Sequence, residues 1–239
     1  MQWKENSIVL SSRPFAENSR IVTIFNRTLG KTSGLVKGLK VPIQPGDVSD
    51  VLWNGRIAEQ LGTFKIENIF SPFMHVFNNS ARIFALESVC FLCFKGLPEK
   101  APHPVLFDSL QTLLLSISQD NWLINYALFE VSFLSEVGFG LDLSKCAVSG
   151  KTDNLFYVSP RTGCAATKEA GEKYKDNLFV LPQFLIFKDS CPTNHDIFSA
   201  LQITGHFLKM HFYDINNGKL PLSRDCLTTE LIKDQESKA

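Results

Sequence analysis

The sequence has no excess of charge of either sign and no long apolar run. Its 239 residues include 24 Lys and Arg against 24 Asp and Glu, so a nucleic-acid partner would have to be recognised by a local cluster of basic residues. The longest apolar runs, such as Leu113-Leu114-Leu115, fall far short of the roughly 20 residues that span a membrane. Residues 1–10 lack the apolar segment of a secretory signal. These absences predict a cytoplasmic protein with no membrane segment.

Cysteines are also few and irregularly spaced. Cys90 and Cys93 have the spacing of a metal-binding pair, but they lie in an apolar helical segment and no second Cys or His pair follows at a zinc-site interval. The five histidines are dispersed along the chain. In a cytoplasmic protein the six cysteines are expected to be reduced thiols. The sequence therefore predicts neither a metal ion nor another cofactor.

Catalytic signatures are missing as well. The chain has no G-x-S-x-G nucleophile elbow, no H-E-x-x-H and no kinase motif. Gly30-Lys31-Thr32 has the ending of a phosphate-binding loop, but that loop also needs a glycine five positions earlier, where Phe25 stands. No glycine occurs between Met1 and Leu29, so the backbone cannot wrap around the phosphates of a nucleotide there. We expect a protein that is not an enzyme.

The first part of the chain contains short β-forming runs separated by turn signals. Residues 20–26 and 31–37 are rich in β-forming residues, and Pro45-Gly46-Asp47 is a strong turn. Five short strands with tight turns favour a small closed barrel, of which the OB fold is the commonest ligand-binding form. The predicted strands are residues 7–13, 20–26, 31–37, 48–57 and 61–70.

After Ser71-Pro72 the apolar residues take helical spacing. The fold class is therefore α+β: a five-stranded OB-fold barrel in a domain of residues 1–75, then a mainly helical domain of residues 76–239. Glycine and proline interrupt the helical pattern in residues 144–170, where we expect a small irregular insertion with a hairpin at 154–168. The predicted helices are residues 78–95, 105–118, 122–137 and 195–214.

Local charge is the informative feature of the barrel segment. Between residues 13 and 40 six basic side chains stand against the single acid Glu17. Such an array suits the phosphate backbone of a nucleic acid, and aromatic residues nearby could stack on unpaired bases. The alternative is that the basic residues only solvate the barrel and the aromatic residues fill its core, which strand alternation favours for Phe25 and Phe64. The candidate nucleic-acid-binding residues are Arg13, Arg20, Arg27, Lys31, Lys37 and Lys40, and the aromatic candidates are Phe15, Phe25, Trp53 and Phe64.

Blocks of sequence spread over nearly the whole chain match one known family in their order and spacing. The blocks are W-x-x-x-x-I-V-L-S at 3–11, R-P-F-A-E-N-S-R-I-V at 13–22, G-L-V-K-G at 34–38, Q-P-G at 44–46, L-G-T-F at 61–64, A-L-E at 85–87, E-V-G-F-G-L-D-L at 136–143, Y-V-S-P at 157–160, L-P-x-F-L at 181–185 and G-H-F-L at 205–208. In these blocks the chain resembles the RecO family of bacterial recombination mediators.

The resemblance implies both a fold and a function. RecO proteins have an N-terminal OB barrel followed by a helical domain. The resemblance also implies a non-catalytic protein of DNA repair and DNA recombination, active after DNA damage, that binds single- and double-stranded DNA and anneals complementary strands. Its expected partners are RecR and the C-terminal tail of the single-stranded-DNA-binding protein (SSB), and with RecR it would load RecA onto SSB-coated DNA. Its expected place in the cytoplasm is at the nucleoid.

Some relatives hold a zinc ion with two Cys pairs after the G-F-x-x-x-L segment, and this chain departs from them. Cys146 stands where the first ligand would be, but Ser149 occupies the partner position in C-A-V-S-G. The later Cys164 has no Cys-x-x-Cys partner. Hydroxyl groups are poor substitutes for thiolates in a structural zinc site. We therefore predict a metal-free, degenerate zinc-finger-like hairpin in residues 144–170.

The helical domain is rich in Phe and Leu, and an apolar groove there would suit the acidic, hydrophobic SSB tail. The candidate rim charges of that groove are Lys209, Lys219 and Arg224. A second interpretation stays open at this point: an OB-fold RNA-binding or ribosome-associated module whose helical half docks a protein. That interpretation predicts a preference for RNA and no annealing of complementary DNA strands.

Overall fold

The structure is a computed structural model that describes residues 1–38, 42–57, 61–187, 190–212 and 221–236. It divides into two compact units, one formed by Met1–Trp122 with Pro221–Ala239 and the other by Leu123–Leu220. The first unit contains helices as well as the barrel strands. The expected domain boundary near residue 75 marks the change from strands to helices along the chain and stays a prediction.

The first unit is built on a closed five-stranded barrel with the strand order β1-β2-β3-β5-β4. Neighbouring strands run antiparallel except β3 and β5, which are parallel. This is the OB arrangement that the sequence predicts. The strands are β1 (Gln2–Pro14), β2 (Ser19–Asn26), β3 (Gly30–Lys37), β4 (Val48–Asn54) and β5 (Thr63–Phe70).

β1 is longer than predicted because it serves two neighbours. Its first half pairs with β4, from Gln2 opposite Asn54 to Ile8 opposite Val48. Its second half pairs with β2, and a register shift falls between Val9 and Ser11. Such a bulge bends a strand and lets it turn from one partner to the next, which a closed barrel requires.

The barrel interior is filled by apolar side chains from alternate strand positions, as period-two patterning predicts. Phe64 lies in this core, and a Cβ atom on Gly34 would come within 2.6 Å of its ring. The glycine in the middle of β3 therefore makes room for a large aromatic side chain. The buried core residues are Val9, Val22, Ile24, Val36, Val51, Trp53 and Phe64.

Helices of the first unit cover one part of the outer barrel wall. Phe25 of β2 packs edge-to-face on Phe107, with ring centroids 5.5 Å apart, and the Cys90 thiol lies 3.9 Å from the Val9 carbonyl oxygen. Cys90 and Cys93 are buried, and burial raises the pKa of both thiols. The helices of this unit are α1 (Phe73–Val76), α2 (Ser80–Gly96), α3 (Pro104–Ser116) and the C-terminal helix α7 (Leu222–Glu236), which packs on α2 and was not predicted.

The second unit combines helices with a three-stranded sheet of order β7-β6-β8. Its buried side chains include Phe129, Phe133 and the carboxylate of Glu130, which accepts a hydrogen bond from the Thr204 hydroxyl at 2.5 Å. The elements are α4 (Trp122–Glu136), β6 (Leu155–Val158), β7 (Ala165–Thr167), α5 (Lys168–Gly171), β8 (Phe179–Val180) and α6 (Asn194–Phe207), which continues into a π-helical turn at Leu208–Phe212. The β6–β7 hairpin lies within the predicted segment 154–168.

Candidate nucleic-acid interface

Strand register decides which of the predicted basic residues face outward. Arg13 lies opposite Ile21 on β1 and β2, and Ile21 lies opposite Leu35 on β3. These positions alternate with core positions such as Val22, so they lie on the outer wall of the barrel. Lys37 is two positions beyond Leu35 and shares that face. Arg13 and Lys37 are both exposed.

Arg20 lies at the same end of these strands, opposite Val36 and Pro14. Its guanidinium donates to the Ser12 hydroxyl at 2.7 Å and to the Ser12 carbonyl oxygen at 2.8 Å. These two bonds fix the orientation of the group and leave further N–H donors available.

Arg13, Arg20 and Lys37 have no carboxylate partner in the part of the chain that the structure describes. We call these three residues the barrel-end cluster. Among the described residues, no acidic side chain neutralises their positive charges.

Only one of the four aromatic candidates is exposed. Phe25, Trp53 and Phe64 are buried. The core interpretation is confirmed for Phe64, which lies inside the barrel, whereas Phe25 is buried on the outer wall against Phe107. Phe15 is 50% exposed in the turn that joins β1 to β2, directly after Arg13 and Pro14. An exposed ring beside basic side chains is the arrangement that stacks on unpaired bases.

Arg27 is committed to a contact within the protein. Its Nε donates to Asp108 Oδ1 at 2.9 Å and its terminal nitrogen donates to Asp108 Oδ2 at 3.0 Å. Hydrogen bonding to Asp108, with the attraction of its charge, raises the pKa of the guanidinium. Arg27 is exposed, but its charge is balanced by α3.

The placement expected for Lys31 on the charged surface is wrong. Only 9% of Lys31 is exposed, because α2 covers this end of β3. Its ammonium group donates to the carbonyl oxygen of Phe94 at 2.7 Å, in the last turn of α2. Burial lowers the pKa of Lys31. Its role in the structure is to satisfy a carbonyl at the helix C-terminus, where a positive charge also complements the helix dipole.

The remaining candidate residues are distributed as follows. Lys40 and Lys219 lie outside the described residues. Lys209 is exposed in the π-helical turn that follows α6. Arg224 is only 5% exposed on α7, so it does not provide the exposed rim charge that was expected of it.

A groove that the sequence did not predict runs along the free edge of β5. β3 and β5 are paired only at Leu35 and Thr63, so the rest of this β5 edge has no strand partner among the described residues. The groove has a volume of about 910 Å³. Its walls include apolar Phe64 and Ile66, basic Lys37 and Lys65, and the fully buried hydroxyl of Ser49, which has no hydrogen-bond partner among the described residues. Lys37 links this groove to the barrel-end cluster.

Comparisons with known proteins identify the family. A family model for the N-terminal part of recombination protein O matches residues 1–73, and a model for the C-terminal part matches residues 79–220. The DNA repair protein RecO of Rhodospirillum centenum is 37% identical over 231 residues, covering 94% of this chain and 92% of the relative. The chain belongs to the RecO family. Two further relatives are similar to the same extent. The RecO protein of Bartonella henselae is 37% identical over 94% of this chain and 90% of the relative, and that of Anaplasma marginale is 35% identical over 88% of this chain and 92% of the relative.

Membership of the RecO family gives this protein a role in DNA repair and recombination. The five-stranded barrel lies within the N-terminal family match, and the six basic candidates all fall in the sequence range of that match, residues 1–73. In the described residues no helix is long and apolar enough to cross a membrane.

The zinc of some RecO relatives does not fit the donors present in residues 144–170. Cys146 is buried, whereas Ser149 supplies a hydroxyl where a second thiolate would be needed. Cys164 is directed to the carbonyl oxygen of Thr162, 3.7 Å from its sulfur. Across the ranges that the structure describes, no three His, Cys, Asp or Glu side chains are grouped in a way that could hold a metal ion.

Proposed function

We propose that this protein is a non-catalytic recombination mediator that binds single- and double-stranded DNA and anneals complementary strands. With RecR it helps to load RecA onto SSB-coated DNA, and it works in the cytoplasm at the nucleoid. The observation that carries the proposal is the barrel-end cluster: three positive groups on adjacent strands, without carboxylate partners in the described chain, beside the exposed ring of Phe15.

The barrel-end cluster is suited to binding the phosphates of DNA without recognising the base sequence. Arg13 and Lys37 are exposed charges on flexible stems, and Arg20 is oriented by Ser12 so that its remaining donors can meet phosphate oxygens. Contacts to the DNA phosphates release counterions, so the affinity for DNA falls as the salt concentration rises. Because these contacts do not read the bases, the affinity is similar for different DNA sequences. Phe15 adds stacking that only an unpaired strand can use.

Annealing requires two strands to be held close together with their charges partly neutralised. No covalent bond is made or broken, so the step needs no catalytic group and no nucleotide. In this proposal residues 1–75 hold DNA and residues 76–239 provide the protein contacts. The exposed Lys209 is the described residue that remains a candidate for the rim of an SSB-tail groove.

A strand-annealing assay on SSB-coated complementary oligonucleotides, with and without RecR, tests the proposal. The native chain is expected to accelerate annealing without ATP, and the Arg13→Glu/Arg20→Glu/Lys37→Glu variant is expected to lose that acceleration while it keeps its fold by circular dichroism. Binding of RNA in preference to DNA, with no acceleration of annealing, would instead support an RNA-binding module.

A further inference from the structure

Two short turns in the second unit share a sequence pattern and a hydrogen-bond geometry. The first is C-A-V-S-G at residues 146–150. The second is T-K-E-A-G at residues 167–171, in which Thr167 is the N-cap of the single helical turn α5. In the first, the backbone N–H of Ser149 donates to Cys146 Sγ at 3.4 Å. In the second, the backbone N–H of Ala170 donates to Thr167 Oγ1 at 3.3 Å. In each turn the side-chain heteroatom of the first residue accepts from the residue three positions later.

Each turn ends at a glycine because a side chain there would be sterically unfavourable. Gly150 has φ +72°, a left-handed conformation that other residues rarely adopt. At Gly171 a Cβ atom would come within 2.3 Å of the Tyr157 ring. Both turns are therefore built to a specific shape, and neither is an irregular loop.

The two turns meet at their first residues. Cys146 Sγ also accepts the backbone N–H of Thr167 at 3.4 Å, and it lies 3.9 Å from Thr167 Oγ1. Cys146 is 1% exposed and Thr167 is 3% exposed. In each turn two residues separate the two donor positions, and the two turns meet at one buried point. Structural zinc ions are held in the same way, between two Cys-x-x-Cys turns.

The side chains at that point do not form a zinc site. The four donor positions of this frame hold one thiol, two hydroxyls and the methyl group of an alanine: Cys146, Ser149, Thr167 and Ala170. Cys164 lies outside the frame, because its sulfur is directed to the Thr162 carbonyl oxygen.

We propose that residues 146–150 and 167–171 are the two knuckles of a zinc-ribbon-like hairpin that closes without metal, through direct contact of the Cys146 sulfur with Thr167. The backbone of the two turns has the shape of a zinc ribbon, and only three of the four donor side chains are not cysteine. Replacing Ser149, Thr167 and Ala170 with cysteine therefore creates a four-thiolate zinc site, to which Cys164 contributes nothing. This inference does not depend on DNA binding.

Metal titration of the full-length chain tests the inference. The Ser149→Cys/Thr167→Cys/Ala170→Cys variant, reduced and metal-free, is expected to bind about one equivalent of Co²⁺ with the visible absorption of a tetrahedral thiolate site, and Zn²⁺ is expected to displace it. Zn²⁺ is expected to raise its melting midpoint and a chelator to reverse the shift. The native chain is expected to show neither effect. Adding Cys164→Ser to the triple variant is expected to leave metal binding unchanged.

Two further variants test the contact even if the triple variant does not fold. Cys146→Ala in the otherwise native chain is expected to lower the melting midpoint, whereas Cys164→Ala, the matched control, is not. Stoichiometric zinc on the native chain, a folded triple variant without tetrahedral Co²⁺ absorption, dependence of that absorption on Cys164, or a Cys146→Ala variant as stable as the native chain would each overturn the proposal.

Discussion

The ammonium group of Lys31 donates to the carbonyl oxygen of Phe94 at 2.7 Å and joins β3 to the last turn of α2. Lys31 belongs by sequence to the basic set of the barrel, yet its charge is used inside the fold. Lys37, six residues further along the same strand, is exposed. The charge of Lys31 therefore has a structural role, whereas the charge of Lys37 is available to a ligand.

Lys31→Met is expected to destabilise the protein, because it leaves the Phe94 carbonyl without its charged donor in a partly buried site. We expect a loss of about 1–3 kcal/mol in the free energy of unfolding, measured by urea denaturation. Lys37→Met, the matched control, is expected to change stability by less than about 0.5 kcal/mol. Equal stability of the two variants would contradict the role assigned to Lys31.

Arg27 offers a second comparison between paired and free charge. Because its guanidinium forms two hydrogen bonds with Asp108, Arg27→Ala is expected to lower DNA affinity less than Arg13→Ala does at the same salt concentration. Fluorescence anisotropy with a labelled single-stranded oligonucleotide measures both. If Arg27→Ala caused the larger loss, the interface would have to be moved to the β2–β3 turn.

Gly34 is expected to tolerate no side chain while Phe64 fills the barrel. Gly34→Ala brings a methyl group within 2.6 Å of the Phe64 ring and is expected to lower the free energy of unfolding by about 1–3 kcal/mol. Phe64→Leu in the same chain removes part of the ring and should recover stability relative to the sum of the single changes. Strict additivity in this double-mutant cycle would show that the two positions do not compete for space.

Stability is expected to rise with pH across the titration of Cys146. Burial raises the pKa of the Cys146 thiol, but hydrogen bonds from the Ser149 hydroxyl and from the backbone N–H groups of Ser149, Thr167 and Val148 lower it, to about 6 overall against an ordinary value of 9.0. The folded state therefore favours the thiolate. The resulting stabilisation is complete above pH 9.0 and is lost as the pH falls to about 6.

Melting midpoints measured between these two pH values test the titration. Cys146→Ala should remove this part of the pH dependence, and Cys164→Ala should leave it in place. A native chain whose stability does not change in this interval would argue against a thiolate at Cys146.

The sequence predicted the barrel well because strand alternation and turns are local signals. The predicted start of β3 at residue 31 and end at residue 37 differ from the observed strand by one residue at most. β1 was predicted too short, since the pairing of Gln2 with Asn54 depends on a distant strand. Local patterning also placed Phe64 in the barrel core, whereas Phe25 is buried on the outer wall because α3 covers it there.

The candidate interface was only partly predictable, because charge along a chain does not show which face a helix will cover. Strand register brings Arg13, Arg20 and Lys37 to the same end of three adjacent strands, with Arg13 and Lys37 on the outer face and Arg20 at the alternate positions. Lys31 bonds to a carbonyl oxygen of α2 instead of facing solvent, and Arg27 pairs with Asp108, which is 81 positions away in the chain. Lys65 was overlooked because it stands outside the basic run, although it lines the same groove as Lys37, where it pairs with Glu67.

The salt dependence of DNA binding tests the central claim most directly. The affinity for a single-stranded oligonucleotide is measured over a range of salt for the native chain and for Arg13→Ala/Arg20→Ala/Lys37→Ala. A control, Lys145→Ala/Arg161→Ala/Lys173→Ala, removes the same charge from exposed positions of the second unit. The barrel-end variant should lose about tenfold or more in affinity, and the slope of log affinity against log salt should fall by about 2. Unchanged affinity and slope in that variant, or an equal loss in the control, would contradict the assignment of DNA binding to this end of the barrel.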